Sequence, residues 1–210
     1  MHLLIATTNP HKLEEITAVF APAGIEAVGL SLIERQLPEP EEDQDTFLGN
    51  AELKALYYAR ETRRICLADD SGLVVDALAG RPGVRSARYA GSTGTRDERD
   101  AANNAKLLAE LADVPDARRT ARFVCAMCVA TPDSEIIGTA EGHFEGRIAH
   151  EPRGENGFGY DPLLIVADEP PRDPPRTAAE LSPDEKNARS HRGNACRAIL
   201  PTLTDAFAND

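Results

Sequence analysis

The sequence has no tryptophan, and aromatic residues make up only 5% of it. That scarcity is not the mark of a disordered chain, because apolar residues reach 41% and charged residues 28%, a soluble globular composition. Positive charge is also short: 23 Lys and Arg stand against 35 Asp and Glu, a formal net charge of −12. A broad nucleic-acid surface needs clustered Lys and Arg, so that class of partner is excluded. A small anion held by a few local basic residues, or one arriving with a divalent cation, is not. No apolar run approaches the length of a membrane span. The start, "MHLLIATTNPHK", lacks the build of a signal peptide. The expectation is therefore a cytoplasmic protein with no membrane partner. There is no internal repeat, and 210 residues suit a single domain, residues 1–210, with two lobes.

Cysteines are few: Cys66, Cys125, Cys128 and Cys196. The C-x-x-C of Cys125 and Cys128 lies in a strand-like run, "RFVCAMCVA", where positions three apart face opposite sides. No second C-x-x-C completes a zinc site, so Cys125 and Cys128 read as core residues, and no disulfides are expected.

What is present is an alternation of strand and helix patterns. The spacing predicts strands over Leu3–Thr7, Glu26–Leu30, Ile65–Ala68, Ala121–Thr131, Ile136–Gly142 and Pro162–Val166. Helices are predicted after Asn9, a good N-cap followed by Pro10, and in "DTFLGNAELKALYYARE", where Phe47, Ala51, Lys54 and Tyr58 share a face. "RDERDAANNAKLLAEL" puts Leu107, Leu108 and Leu111 inward. Ser182 and Glu185 form a capping box, and a further helix follows Ser190, which Pro201 is expected to bend or end. "DEPPRDPPRT" (Asp168–Thr177) reads as an exposed connection. The class is α/β or α+β.

Four stretches carry candidate chemistry. In "RICLADDSGLVV" two adjacent acids, Asp69 and Asp70, sit between apolar runs with no base between them. Either Asp-Ser-Gly makes an ordinary turn, or the acids close a strand and await a cation. Magnesium suits the second reading, since it takes hard oxygen ligands from one or two carboxylates plus substrate phosphates. The strand-to-helix junction Thr7-Thr8-Asn9 offers free backbone N–H groups, with Lys12 in the first helical turn, and so suits a phosphate. "ENGFGYDPLL" flanks Phe158 with Gly157 and Gly159, which brings backbone close to a ligand beside a flat apolar ring. "EKNARSHRG" adds Lys186, His191 and Arg192, donors suited to carbonyl or phosphate oxygens.

Together, in this order, these segments resemble the inosine triphosphate pyrophosphatase family, the noncanonical purine nucleoside triphosphate pyrophosphatases (XTP/dITP diphosphatases). "ATTNPHKLEEI", "DTFLGNAELKA", "LADDSGLVVDALAGRPGVRSARYAG", "ENGFGYDPLLIV" and "AELSPDEKNARSHRGNA" carry the resemblance across nearly the whole chain. It implies an α/β fold with a long mixed central sheet flanked by helices, two lobes with a nucleotide cleft between them, and a homodimer. It implies Mg²⁺-dependent hydrolysis of ITP, dITP and XTP to the monophosphate and pyrophosphate. By motif, Thr7, Thr8, Asn9 and Lys12, with Pro10 and His11 between them, would cradle the triphosphate. Asp70 would be the catalytic acid–base residue and a metal ligand, joined by Glu41 or Glu42, and Ser71 would touch substrate. Phe158, Gly159, Tyr160, Asp161, Lys186, His191 and Arg192 would hold the nucleotide. The chain departs from the family pattern at Thr8, where Gly is usual, and at Gly49, where Glu is usual. A nucleotide-binding module without turnover, and a pyrophosphatase for modified pyrimidine nucleotides, are the competing readings.

Overall fold

The structure is a computed structural model that describes residues 2–33, 35, 37–170 and 174–208. Six strands join one sheet in the order β2-β1-β3-β4-β5-β6. They are β1 (His2–Ile5), β2 (Glu26–Gly29), β3 (Cys66–Val75), β4 (Thr120–Ala130), β5 (Ile136–Ile148) and β6 (Leu164–Val166). β1 pairs parallel with β2 and with β3, and β5 pairs antiparallel with β6, so the sheet is mixed, as the resemblance implies. Among the described residues five α-helices accompany it: α1 (Pro10–Phe20), α2 (Phe47–Thr62), α3 (Arg96–Glu110), α4 (Pro183–Arg189) and α5 (His191–Ala208). The fold is α/β.

The chain forms two compact units. The first comprises Met1–Asp70, Cys125–Gly142 and His191–Asp210; the second comprises Ser71–Val124 and His143–Ser190.

In the first unit, strand periodicity sorts side chains into two apolar layers. Leu3, Ile5, Leu67, Cys125, Met127 and Val129 pack with Ile16 and Phe20 of α1 and Ala195, Cys196, Ile199 and Leu203 of α5. Their neighbours in sequence, Leu4, Ala6, Cys66, Ala68, Cys128 and Ala130, pack with Ala51, Ala55, Tyr58 and Ala59 of α2. Cys125 and Cys128 thus lie in opposite layers, as the C-x-x-C spacing in a strand predicts, and all four cysteines are buried and unpaired with one another. Asn9 caps α1, its side-chain oxygen accepting from the N–H of His11 at 3.1 Å.

The second unit has its own core, in which Leu73, Val75, Leu107, Leu111, Phe123, Phe144, Tyr160, Leu163 and Leu164 meet. Leu108 is only partly buried against it. Under this core lies Arg119, whose guanidinium donates to the carbonyls of Leu111 (2.7 Å), Ile148 (2.9 Å) and Ala149 (2.8 Å). A buried cation shared among carbonyls closes the loop after α3. Arg119→Met would strand those acceptors, and a loss of about 3 kcal/mol or more is expected in a urea titration. An unchanged midpoint would show the guanidinium to be dispensable.

β1 ends at Ile5 rather than Thr7 and β6 starts at Leu164 rather than Pro162, and three boundaries differ by more from the sequence expectation. β3 does not stop at Ala68: it runs through Asp69-Asp70-Ser71-Gly72 to Val75. The turn-forming residues stay extended because Leu73 and Val75 beyond them are fully buried and the N–H of Leu73 donates to Ser86 Oγ at 2.8 Å. β5 likewise runs past Gly142 to Ile148. α5 does not end at Pro201. Ile199 and Leu203, on either side of the proline, are both buried, and that packing outweighs the lost hydrogen bond. The proline-rich connection falls partly on residues 171–173, outside the described residues. Asp168 and Pro170 are exposed, but Glu169 and Arg176 are ion-paired and part-buried and Thr177 is buried, because the segment packs on its own unit.

Candidate active site

The two acids of β3 point to opposite faces. Asp69 follows Leu67 onto the α1/α5 layer, and Asp70 follows Cys66 and Ala68 onto the α2 layer. They are not a pair awaiting one cation, and each has its own partners.

Asp69 is fully buried in a charge network. Its Oδ2 takes Lys12 Nζ at 2.9 Å and Arg192 Nη2 at 3.3 Å, and Arg192 also binds Glu15. Burial by itself would raise the Asp69 carboxyl, but the Lys12 and Arg192 charges outweigh it and hold the group far below the usual carboxylate range. Arg192, 1% exposed, is held protonated in spite of its burial by Asp69 and Glu15.

Asp70 looks onto α2. Its Oδ2 accepts from Asn50 Nδ2 at 2.9 Å, and its Oδ1 lies 3.9 Å from Lys54 Nζ. Lys54 in turn donates to Glu42 Oε1 at 2.5 Å. Burial raises the Asp70 carboxyl, and Lys54, Lys12 and the Asn50 hydrogen bond only partly offset it. Burial would lower the Lys54 ammonium, but Asp70, Asp69 and Glu42 prevail and raise it. Glu42 is half-buried here, while Glu41 is exposed. Sequence reasoning left Lys54 and Asn50 without a chemical role. The signal was available: a lysine on the helix face shared by Ala51 and Tyr58, four residues after an asparagine, is a charge placed where a core residue is expected.

The parallel register Ile5↔Leu67 brings the end of β1 to the acid-bearing part of β3, so the junction at Thr7 starts there. Thr7 Oγ1 accepts from the N–H of Asn9 at 3.1 Å, Pro10 opens α1, and Thr8 and His11 are exposed. Lys12 is near the junction, yet its ammonium is engaged by Asp69. Gly49, the departure in α2, has its N–H bonded to Thr46 Oγ1 at 3.0 Å, an N-cap contact. His191, at the start of α5 beside Arg192, is buried.

In the second unit Asp161 organises the glycine-rich loop. Its Oδ2 accepts from the N–H of Phe158 at 2.8 Å and from Lys186 Nζ at 2.7 Å, and Lys186 Nζ lies 5.0 Å from the centre of the Phe158 ring. Gly157, at φ 76°, must be glycine, because a Cβ there would overlap Asp161 Oδ2. Tyr160 belongs to the core, its hydroxyl donating to the Ser86 carbonyl at 2.9 Å, and Ser71 is half-buried in β3.

Asp70 and Glu42 supply two hard oxygen ligands gathered on one ammonium, but no group of three or more metal-ligating side chains is found among the described residues. Asp70 and Glu42 are the side chains that would hold a magnesium ion, which takes hard oxygen ligands. An α/β chain thus carries a carboxylate–ammonium cluster on its α2 face. The comparisons narrow the class: residues 3–202 match the Ham1 family, to which the chain belongs. Its curated relatives include proteins named dITP/XTP pyrophosphatase from Mycobacteroides abscessus, 48% identical over 97% of this chain and 95% of the relative. Another, from Nitratidesulfovibrio vulgaris, is 50% identical over 94% and 93%. Among solved structures, a HAM1 protein from Coxiella burnetii superposes with a TM-score of 0.82 at 39% identity, covering 98% of this chain and 99% of that one. The Staphylococcus aureus Ham1 protein gives 0.80 at 36%, covering 98% and 100%.

Proposed function

We propose that this chain hydrolyses ITP, dITP and XTP to the monophosphate and pyrophosphate with Mg²⁺ as cofactor. The observation that carries the reading is the convergence of Asp70, Glu42 and Lys54 on the α2 face, in a chain whose relatives are named for dITP and XTP.

In this reading Lys54 and the Lys12 ammonium, which Asp69 positions, hold the triphosphate, with Thr7, Thr8 and Asn9 at the junction. Asp70 orients the attacking water and takes its proton. A carboxyl raised above its ordinary range by burial is a stronger base than an exposed one. Asn50 fixes which oxygen of Asp70 faces the water, by occupying the other. Water attacks the α-phosphorus, and pyrophosphate departs with added negative charge that the Lys54 ammonium stabilises. Magnesium, held by Asp70 and Glu42, would supply charge neutralisation on the phosphate oxygens. Glu42 takes this role rather than Glu41 because Glu42 already shares Lys54 with Asp70.

Phe158 provides the flat surface for the purine, and Lys186, held beside the ring by Asp161, donates toward the 6-position carbonyl. Adenine presents an amino group there, and a buried donor left unpaired costs about 1–3 kcal/mol. Arg192 acts as the central cation of the Asp69–Glu15 network. A homodimer belongs to the same reading, with sedimentation as its test.

Pyrophosphate release from ITP, dITP, XTP, GTP and ATP at equal concentration, with and without Mg²⁺, tests the proposal. Turnover of the first three well above the last two, and only with the metal, is the expected result. Nucleotide binding without release would favour the silent module, and preference for modified pyrimidine triphosphates the other pyrophosphatase.

A further inference from the structure

The loop that carries Phe158 has two glycines at positive φ, 76° at Gly157 and 60° at Gly159. A segment with that freedom loses entropy when it orders on a ligand, unless something orders it beforehand. In the second unit, α3 does so. The N–H of Gly159 donates to Asp100 Oδ2 at 3.0 Å, and the carbonyl of the same residue accepts from Asn104 Nδ2 at 2.9 Å. Asp100 and Asn104 are four apart, on one face of α3, so a single helix surface holds both main-chain groups of one glycine.

The next residue toward the core secures the helix itself. Asn103 Oδ1 accepts from the N–H of Ala90 at 2.7 Å, and its Nδ2 donates to the Ser86 carbonyl at 3.2 Å. Tyr160 donates to that same carbonyl. Gly159 is therefore clamped to α3 directly, and Tyr160 through Ser86. Between the clamp and Lys186 lie Phe158 and Asp161, whose mutual hydrogen bond transmits the position of Gly159 to the ring and to the ammonium above it.

We propose that Asp100 and Asn104 are positioning residues for purine recognition: they hold Gly159 so that Phe158 and Lys186 present a preformed surface to the base. The inference rests on the proposed function, and it adds a specificity role for α3. Neither side chain needs to meet the nucleotide.

Asp100→Ala and Asn104→Ala each remove one bond at a half-buried helix position where alanine favours the helix, so both variants should fold. Each is expected to raise KM for ITP about three- to tenfold while kcat changes less than about twofold, and to weaken IMP binding in calorimetry by the same factor. Asp100→Asn keeps an oxygen that can accept from Gly159 and is expected to restore most of the KM. A fall in thermal midpoint with unchanged KM and IMP affinity would overturn the proposal, as would equal losses in Asp100→Asn and Asp100→Ala. Absence of ITP turnover in the unmodified protein would instead refute the functional reading, and IMP affinity would still test the clamp.

Discussion

Asp70→Asn is expected to remove nearly all ITP turnover, about a 10²- to 10⁴-fold loss in kcat, without unfolding the protein. The amide keeps the shape and can still meet Asn50, so the packing of the α2 layer is preserved. The thermal midpoint at pH 7 is expected to change little, since Glu42 still holds Lys54. Linkage sets the carboxyl's own share: a carboxyl whose value is raised in the folded state favours folding below its unfolded value and loses that contribution as the pH climbs through the folded one. Asparagine removes the buried carboxyl but leaves the Lys54 ammonium with Glu42 as its remaining near acid, so the two effects on stability oppose each other. A variant with near-normal rates would refute the role of Asp70, and one that unfolds would refute the separation of function from stability.

The same substitution one residue earlier is expected to do the opposite. Asp69 is held far below the usual carboxylate range, so it contributes stability above its unfolded value and loses it only as the pH falls through the folded one. Asp69→Asn leaves Lys12 and the buried Arg192 with Glu15 as the remaining acid of the network. Breaking a buried pair from one side typically costs about 3–5 kcal/mol. A drop of that size in unfolding free energy is expected, read from a denaturant titration. The gap between the two variants should close as the pH is lowered toward the range where Asp69 itself protonates. Equal stability of the two variants at pH 7 would contradict the assignment of the acids to separate faces.

Much of the scaffold was legible in the sequence because it rests on local signals. The Asn9 cap, Pro10, the Ser182–Glu185 box and the strand periods all appear where the pattern puts them. The lengths of β3 and β5 were not legible, since Asp-Ser-Gly and Gly142 are turn signals that only tertiary packing overrides. The meaning of the paired acids was hidden for the same reason. Once β3 is continuous, alternation across the sheet separates Asp69 from Asp70, and a single shared cation no longer accounts for both. Lys54, Asn50 and Arg119 were missed because their side-chain partners lie 12 to 20 residues away in the chain, or contribute only main-chain carbonyls. Such partners leave no mark in local spacing. The purine-facing loop was visible as glycines around Phe158, whereas its anchorage on α3 was not.

The most direct test of the central claim is hydrolysis of dITP with Mg²⁺ in ¹⁸O-labelled water, followed by mass analysis of the products. Attack at the α-phosphorus, governed by Asp70 and Lys54, predicts labelled dIMP and unlabelled pyrophosphate, and loss of both in Asp70→Asn. Label recovered in orthophosphate or in pyrophosphate would contradict it.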